Sequence, residues 1–291
     1  MNKKNIKAVL ARKHKEFIAS IKNNAVRNLV RNNSIVSGGA IASMLAGEKV
    51  NDFDYYLTDL DTVKAVAKYY VGEFGRLHSK MPLPEVRIDA ERVRIRIKSA
   101  GVIGDAREAF ADADEFDAEQ LEGESTTDTE KEKYRPLFMS DNAITLANKV
   151  QLVIRFHGDA DKIHENFDYV HCTNYWEAKT GKLTLRQAAL ESLLSKQLNY
   201  VGSKYPLCSI VRMRKFINRG WHINAGQILK MLMQVSDLDL TDIAVLEDQL
   251  TGVDTTFFAI LIDTLKAKAK ADPDFTVNRD YVATIVDRIF G

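Results

Sequence analysis

The sequence contains only two cysteines, Cys172 and Cys208, in 291 residues. Two cysteines make no disulfide framework, and their spacing fits no zinc-ligand pattern. Such usage suits a reducing compartment, and a cytoplasmic protein is expected. No apolar run approaches the roughly 20 residues that a membrane helix needs, so no membrane partner is expected. The N-terminal stretch MNKKNIKAVLARKHKEF lacks an apolar core followed by a small-residue cleavage site, which argues against a secretory leader. Internal repeats, a P-loop and a Ser-His-Asp order are also missing.

A large excess of one charge is missing as well: 41 Lys and Arg face 40 Asp and Glu, for a net charge of +1. The balance conceals segregation. Residues 2–31 carry nine basic residues against the single acid Glu16, and residues 105–132 are crowded with Asp and Glu. From Ser192 to Ser236 there is no acid, while Lys196, Lys204, Arg212, Arg214, Lys215, Arg219 and Lys230 all occur. Where charge sits says more about partners than its sum does. With 45% hydrophobic and 28% charged residues, the chain suits one large or two modest globular domains.

What is present centres on Ser34 to Leu57, SIVSGGAIASMLAGEKVNDFDYYL. Ile35 and Val36 lead into a Gly38-Gly39 break, and Ala40 to Leu45 starts a helix. Phe53, Tyr55 and Leu57 then alternate with Asp52, Asp54 and Tyr56, the period of a half-buried strand. Residues i and i+2 of a strand project from one face, roughly 6.5–7 Å apart. Asp52 and Asp54 therefore form a paired carboxylate face beyond a glycine turn. Hard divalent cations take carboxylates together with substrate phosphates. Glycine lets backbone approach a phosphate without a Cβ, and a helix start aims N–H groups at the same anion. The plain alternative is a pair of solvated carboxylates on an exposed strand.

Elsewhere, residues 5–31 have helical periodicity, read either as a helix bordering a polyanion groove or as a packed helix with a solvated basic face. Asp59 to Phe74 reads as an amphipathic helix. Val86–Ile88 and Val93–Ile97 follow as extended segments, the second a strand. Arg92, Arg94 and Arg96 share one face, as phosphate contacts or as an exposed basic surface. The tract 105–133 reads as a helix at most, followed by a flexible loop, either a lid or an ornamental insertion. Two strands, Ala143–Ala147 and Lys149–Phe156, come next, then a β-prone run Phe167–Cys172 with Asp168 at its start. An acid between Phe167 and Tyr169 is costly to bury alone, and a metal would relieve that cost. The other reading puts it at the strand's exposed end. From Thr184 onward the pattern is helical: Leu185–Gly202, then about Leu207–Asn218 with Gly220 as a stop. Further helices follow at Ala225–Val235, Leu240–Leu250 and Thr256–Ala271, with a last one near Asn278–Phe290. Arg212, Lys215 and Arg219 share one helical face.

The stretch GGAIASMLAGEKVNDFDYYL resembles the signature of the nucleotidyltransferase (polymerase-β-like) superfamily, in the form seen in the heads of poly(A) polymerases and CCA-adding enzymes. Ala42-Ser43 stands where those enzymes commonly have Arg-Asp. The block from Asn142 to Cys172 is similar to a nucleotidyltransferase-like group found in ankyrin-repeat and phage-associated proteins. Arg212, Lys215-Phe216, Arg219 and Trp221 take places comparable to the basic helix after the palm.

The resemblance implies an α/β palm, a mixed sheet with flanking helices, followed by an all-helical domain. It divides the chain into an N-terminal helical segment 1–32, a palm 33–176 with the acidic insertion at about 105–133, and a helical domain 177–291. It implies transfer of a nucleoside monophosphate from an NTP to a hydroxyl acceptor, with an RNA 3′ end as the leading candidate. A protein or small-molecule acceptor, or an inactive nucleotide- or RNA-binding relative, is the alternative. Asp52, Asp54 and Asp168 would be the catalytic and metal-holding carboxylates for Mg²⁺ (or Mn²⁺). Ser37, Gly38, Gly39, Arg212, Lys215 and Arg219 would contact the nucleotide.

Overall fold

The computed structural model describes residues 1–79, 83–90, 92–96, 132–250 and 256–290. The lid-or-insertion reading of 105–133 lies outside these residues, apart from 132 and 133. The chain divides into two compact units, and among the described residues the first ends at Ser195 and the second begins at Lys196.

The first unit opens with α1 (Lys3–Ser20) and α2 (Asn24–Asn32). One long periodic segment becomes two helices because the Asn23 side chain accepts from the Ala25 and Val26 N–H groups and starts a new helix there. Then come β1 (Ser34–Ser37), α3 (Gly39–Ala46), β2 (Phe53–Leu57) and α4 (Leu60–Leu77). A two-stranded ribbon, β3 (Glu85–Asp89) and β4 (Arg92–Arg96), follows. Next are β5 (Pro136–Met139), β6 (Ala143–Leu146), β7 (Val150–His157) and α5 (Ala160–His164). A 3₁₀ turn (Val170–Cys172), β8 (Tyr175–Glu177), β9 (Lys182–Thr184) and α6 (Gln187–Ser195) complete the unit.

Seven strands form one mixed sheet in the order β5-β6-β7-β2-β1-β8-β9. Among the described strand pairings of this sheet, β2–β7 alone is parallel. Phe53, Tyr55 and Leu57 of β2 point to one face, into a core with Ile6, Leu10 and Phe17 of α1 and Val63, Val66 and Tyr70 of α4. The Phe17 and Tyr55 rings meet edge-on at 5.0 Å. Burial of each such side chain is worth roughly 1.5–3 kcal/mol. Tyr56 points the other way and packs with Ile35, Ala160 and Ile163. The alternation read from the sequence therefore holds, and it assigns Asp54 to the Tyr56 face.

Two expectations fail here. The run Phe167–Cys172 is not a strand. It turns on local bonds, Phe167 N–H to His164 O at 3.0 Å before the 3₁₀ turn and Cys172 N–H to Tyr169 O at 3.2 Å within it. Asn166 and Thr173 side chains donate to carbonyls three or four residues back, offering the backbone an alternative to a ladder. The helix expected over Leu185–Gly202 is shorter. Lys196 takes φ +50°, and the chain beyond it pairs with His222 through Leu198 N–H to His222 O and His222 N–H to Lys196 O. The β8–β9 hairpin, turning at Gly181 with φ +63°, had no strand reading in the sequence.

The second unit is helical: α7 (Pro206–Asn218), α8 (Ala225–Ser236), α9 (Ile243–Leu250), α10 (Thr256–Ala271) and α11 (Arg279–Phe290). Its core gathers Leu246, Leu250, Leu261, Ile262, Leu265, Val277 and Ile285. A mixed sheet with flanking helices followed by a helical unit is the architecture the sequence led one to expect. No helix among the described residues is long and apolar enough to cross a membrane.

Candidate nucleotide turn and carboxylate pair

The site forms where β1 ends beside β2. Ser37, the last residue of β1, pairs with Asp54 of β2 and with Tyr175 of β8. Gly38 follows with φ +91° and ψ −151°, a region open in practice only to glycine. A Cβ on Gly38 would also lie 2.6 Å from Asp54 Oδ2. The turn backbone thus rests on the carboxylate, and both steric terms forbid a side chain. Gly39 is exposed and has no atom within 4 Å of where its Cβ would be. It opens α3, whose N-terminus has no side-chain cap. An uncapped helix start presents N–H groups and the positive end of the helix dipole to an anion. Ala42 and Ser43, at the Arg-Asp position of the signature, are both buried in α3.

Asp52 and Asp54 are half-buried, one just before β2 and one within it. On its other side Asp54 is opposite Gln151 of the parallel strand β7. Asp168 is also half-buried but lies in the bend before the 3₁₀ turn, not on a strand beside β2. Among the described residues no group of three or more His, Cys, Asp and Glu is arranged to hold a metal ion. The pair still has the right chemistry for a hard cation, two carboxylate donors beside a backbone turn on which phosphates would supply the rest.

Sequence reasoning missed the segment that secures the turn. Ser37 is fully buried. Its Oγ lies 2.8 Å from His164 Nε2, 2.9 Å from Asn174 O and 3.3 Å from Cys172 O. Gly38 N–H donates to Cys172 O at 3.1 Å. Carbonyls only accept, so the single hydroxyl proton goes to them, and His164 Nε2–H donates to Oγ. His164 packs edge-on against Phe167 and Tyr175. Burial lowers its pKa to about 4; the Arg186 cation adds to the drop and Asp161 opposes it. The ring is neutral at pH 7. Asn174, with no exposed surface, accepts the Arg186 backbone N–H on its Oδ1 at 2.8 Å. The Ser37 hydroxyl expected to meet a nucleotide is therefore spent inside the fold. No periodic pattern marks His164 or Asn174, whose contacts with Ser37 span 127 and 137 residues.

The basic candidates are in two places. On the ribbon, Arg92 donates to Asn142 Oδ1 at 3.2 Å, Arg94 lies 3.8 Å from the Asp89 carboxylate, and Arg96 is exposed. In the second unit Arg212 and Lys215 lie on α7 and Arg219 is its C-cap residue, followed by Gly220 at φ +79°. Arg212 and Arg219 are half-buried and Lys215 is exposed.

A family model described as Gabija anti-defense 2 family protein matches residues 8–196. The chain belongs to the Gabija anti-defense 2 family. The family match ends one residue beyond the boundary of the first compact unit, so it takes in the sheet, the glycine turn and the carboxylate pair. A curated relative, Gabija anti-defense 2 of Bacillus phage SPbetaL7, is 26% identical over 143 residues, 48% of this chain and 34% of that protein. The chain thus aligns with about a third of that relative's length. Among solved structures, the Thermotoga maritima CCA-adding enzyme complexed with tRNA is similar at a TM-score of 0.39 and 12% identity, over 89% of this chain and 53% of that one. The Bacillus stearothermophilus CCA-adding enzyme in complex with CTP has a TM-score of 0.39 and 10% identity, over 88% of this chain and 51% of that one.

Proposed function

We propose that this Gabija anti-defense 2 family member is a metal-dependent nucleotidyltransferase that moves a nucleoside monophosphate from an NTP to a hydroxyl, with an RNA 3′ end as acceptor. The observation that carries this is the Gly38 turn, shaped by φ and by the absence of Cβ to lie on the Asp54 carboxylate at the uncapped start of α3. In that reading the Gly38–Gly39 backbone and the first N–H groups of α3 receive the triphosphate. Asp52 and Asp54 would hold Mg²⁺ (or Mn²⁺), with Asp168 as the proposed third carboxylate. When bound, such an ion neutralises phosphate charge and lowers the pKa of the attacking hydroxyl. The acceptor oxygen attacks the α-phosphorus, its proton passes to Asp168, and the bond to the leaving pyrophosphate breaks. Arg212, Lys215 and Arg219 are the proposed phosphate contacts of the second unit. The family's name describes action against Gabija, and we place the transfer in that setting.

A second reading keeps the nucleotide surface without transfer. The position of Asp168 favours it, because the acid needed as the third carboxylate lies in the bend before the 3₁₀ turn and not on a strand beside β2. One experiment separates the two. The purified protein is incubated with each α-labelled NTP, Mg²⁺ and a mixed RNA pool. Label in RNA that disappears with Asp54→Ala supports transfer. Nucleotide binding without incorporation supports the second reading, and no binding of any NTP overturns both.

A further inference from the structure

The glycine turn is held at Ser37 by a side chain that neither reading uses. His164 sits at the last position of α5, buried, with its ring between Phe167 and Tyr175. Its Nε2 reaches Ser37 Oγ at 2.8 Å. A serine–histidine contact at this distance can mark a nucleophile and its base. Here the geometry excludes that role. Ser37 has no exposed surface, its proton is directed to Asn174 O, and the imidazole donates to the oxygen instead of accepting from it.

The bond does something else. Ser37 Oγ joins three parts of the fold: α5 through His164, the chain entering β8 through Asn174 O, and the 3₁₀ turn through Cys172 O. Cys172 O also takes the Gly38 N–H. The residue that touches Asp54 is thus tied on the next atom of the backbone to the same carbonyl that Ser37 approaches. With φ +91°, Gly38 has no intrinsic preference for that conformation, so its neighbours must impose it.

We propose that His164 is a positioning residue: through its Nε2–H bond to Ser37 it holds the Gly38 turn against Asp54 in the conformation that receives a triphosphate. This rests on the nucleotide reading above for its purpose, but the positioning itself is separately measurable. The imidazole must carry a proton on Nε2 to donate to Ser37 Oγ, whose own proton is directed to a carbonyl. A donor at the same reach should replace it, and an apolar ring of similar size should not.

The test uses the full chain and three variants. His164→Phe keeps a ring between Phe167 and Tyr175 without the donor, His164→Gln keeps a donor at similar reach, and Ser37→Ala removes the acceptor. The first readout is hydrogen exchange of the Gly38 amide, referenced to the Leu57 amide in the same sheet. The second is affinity for a non-hydrolysable ATP analogue with Mg²⁺. His164→Phe and Ser37→Ala are each expected to speed Gly38 exchange at least tenfold with Leu57 unchanged, and to weaken analogue binding at least fivefold. His164→Gln should restore both to within about threefold, and the Ser37→Ala/His164→Phe double variant should be no worse than either single one. Folded His164→Phe with wild-type Gly38 exchange overturns the proposal, as does failure of Gln to rescue. If Phe prevents folding, His164→Asn replaces it, whose shorter amide does not reach Ser37, and equal Gly38 exchange in Gln and Asn overturns the proposal. If wild-type protein binds no analogue, the nucleotide reading fails, while the exchange arm still decides whether His164 positions the turn.

Discussion

Asp54 is opposite Gln151 on the parallel strand β7, so the residue facing it from that strand is an amide and not a second carboxylate. A neutral neighbour does not repel Asp54 and adds no charge for a cation. The charge of the site then rests on Asp52 and Asp54 on one extended segment, and on whichever acid the 164–174 segment contributes.

Asp54→Asn should therefore remove nucleotide incorporation while leaving the fold intact. Asn matches the shape of Asp but lacks its charge, and Mg²⁺ is usually held by one or two carboxylates together with substrate phosphates. Incorporation reduced at least a hundredfold, with an unchanged urea midpoint, is the expected outcome. Retention of more than a small residual rate would remove Asp54 from the mechanism.

The two glycines of the turn should behave oppositely. Gly38→Ala must place a Cβ at positive φ and 2.6 Å from Asp54 Oδ2. Strain of this kind costs about 1–3 kcal/mol before the clash is counted. Gly39→Ala meets nothing within 4 Å and starts a helix, so it should change stability by no more than about 0.5 kcal/mol. Denaturant unfolding of both variants checks the pair, and equal losses would contradict the turn geometry.

Acid should weaken the first unit through its buried histidines. Burial lowers the pKa of His14, between Tyr55 and Trp176, to about 4, and the same cause acts first on His164. Both folded values lie below the ordinary 6.5, so the unfolded chain binds more protons between pH 6.5 and 4. Their stabilisation is complete above about pH 6.5 and is lost as pH falls through that window, on the order of 3 kcal/mol per group. Urea unfolding at pH 7, 5 and 4 should show a smaller loss for His164→Gln than for the wild type. Parallel pH curves would show that His164 titrates without effect.

Arg219→Ala tests the basic face of the second unit. If Arg219 contacts an RNA phosphate, the dependence of log K on log salt should become shallower by about 0.7. A raised KM for NTP with an unchanged salt slope would assign Arg219 to the triphosphate. No change in either would make the face a solvated surface.

Local pattern was enough for the β1–α3–β2 unit. Alternation at Phe53, Tyr55 and Leu57 and the Gly38-Gly39 break depend on neighbours in sequence, and only α3 and a short loop separate β1 from β2. The helices of the second unit were legible for the same reason, since a 3.6-residue stripe repeats within each of them. The tertiary structure alone decided that Phe167–Cys172 turns instead of extending, because its β-prone residues lose to side-chain bonds from Asn166 and Thr173 and to the burial of Tyr169. It decided that Gln151 faces Asp54, since a parallel pairing between distant strands has no local signal. It also decided that Ser37 is bound by His164 and Asn174, 127 and 137 residues away. A hydroxyl at the end of a β-strand looks the same in sequence whether it meets a phosphate or a buried imidazole, and only packing chooses between them.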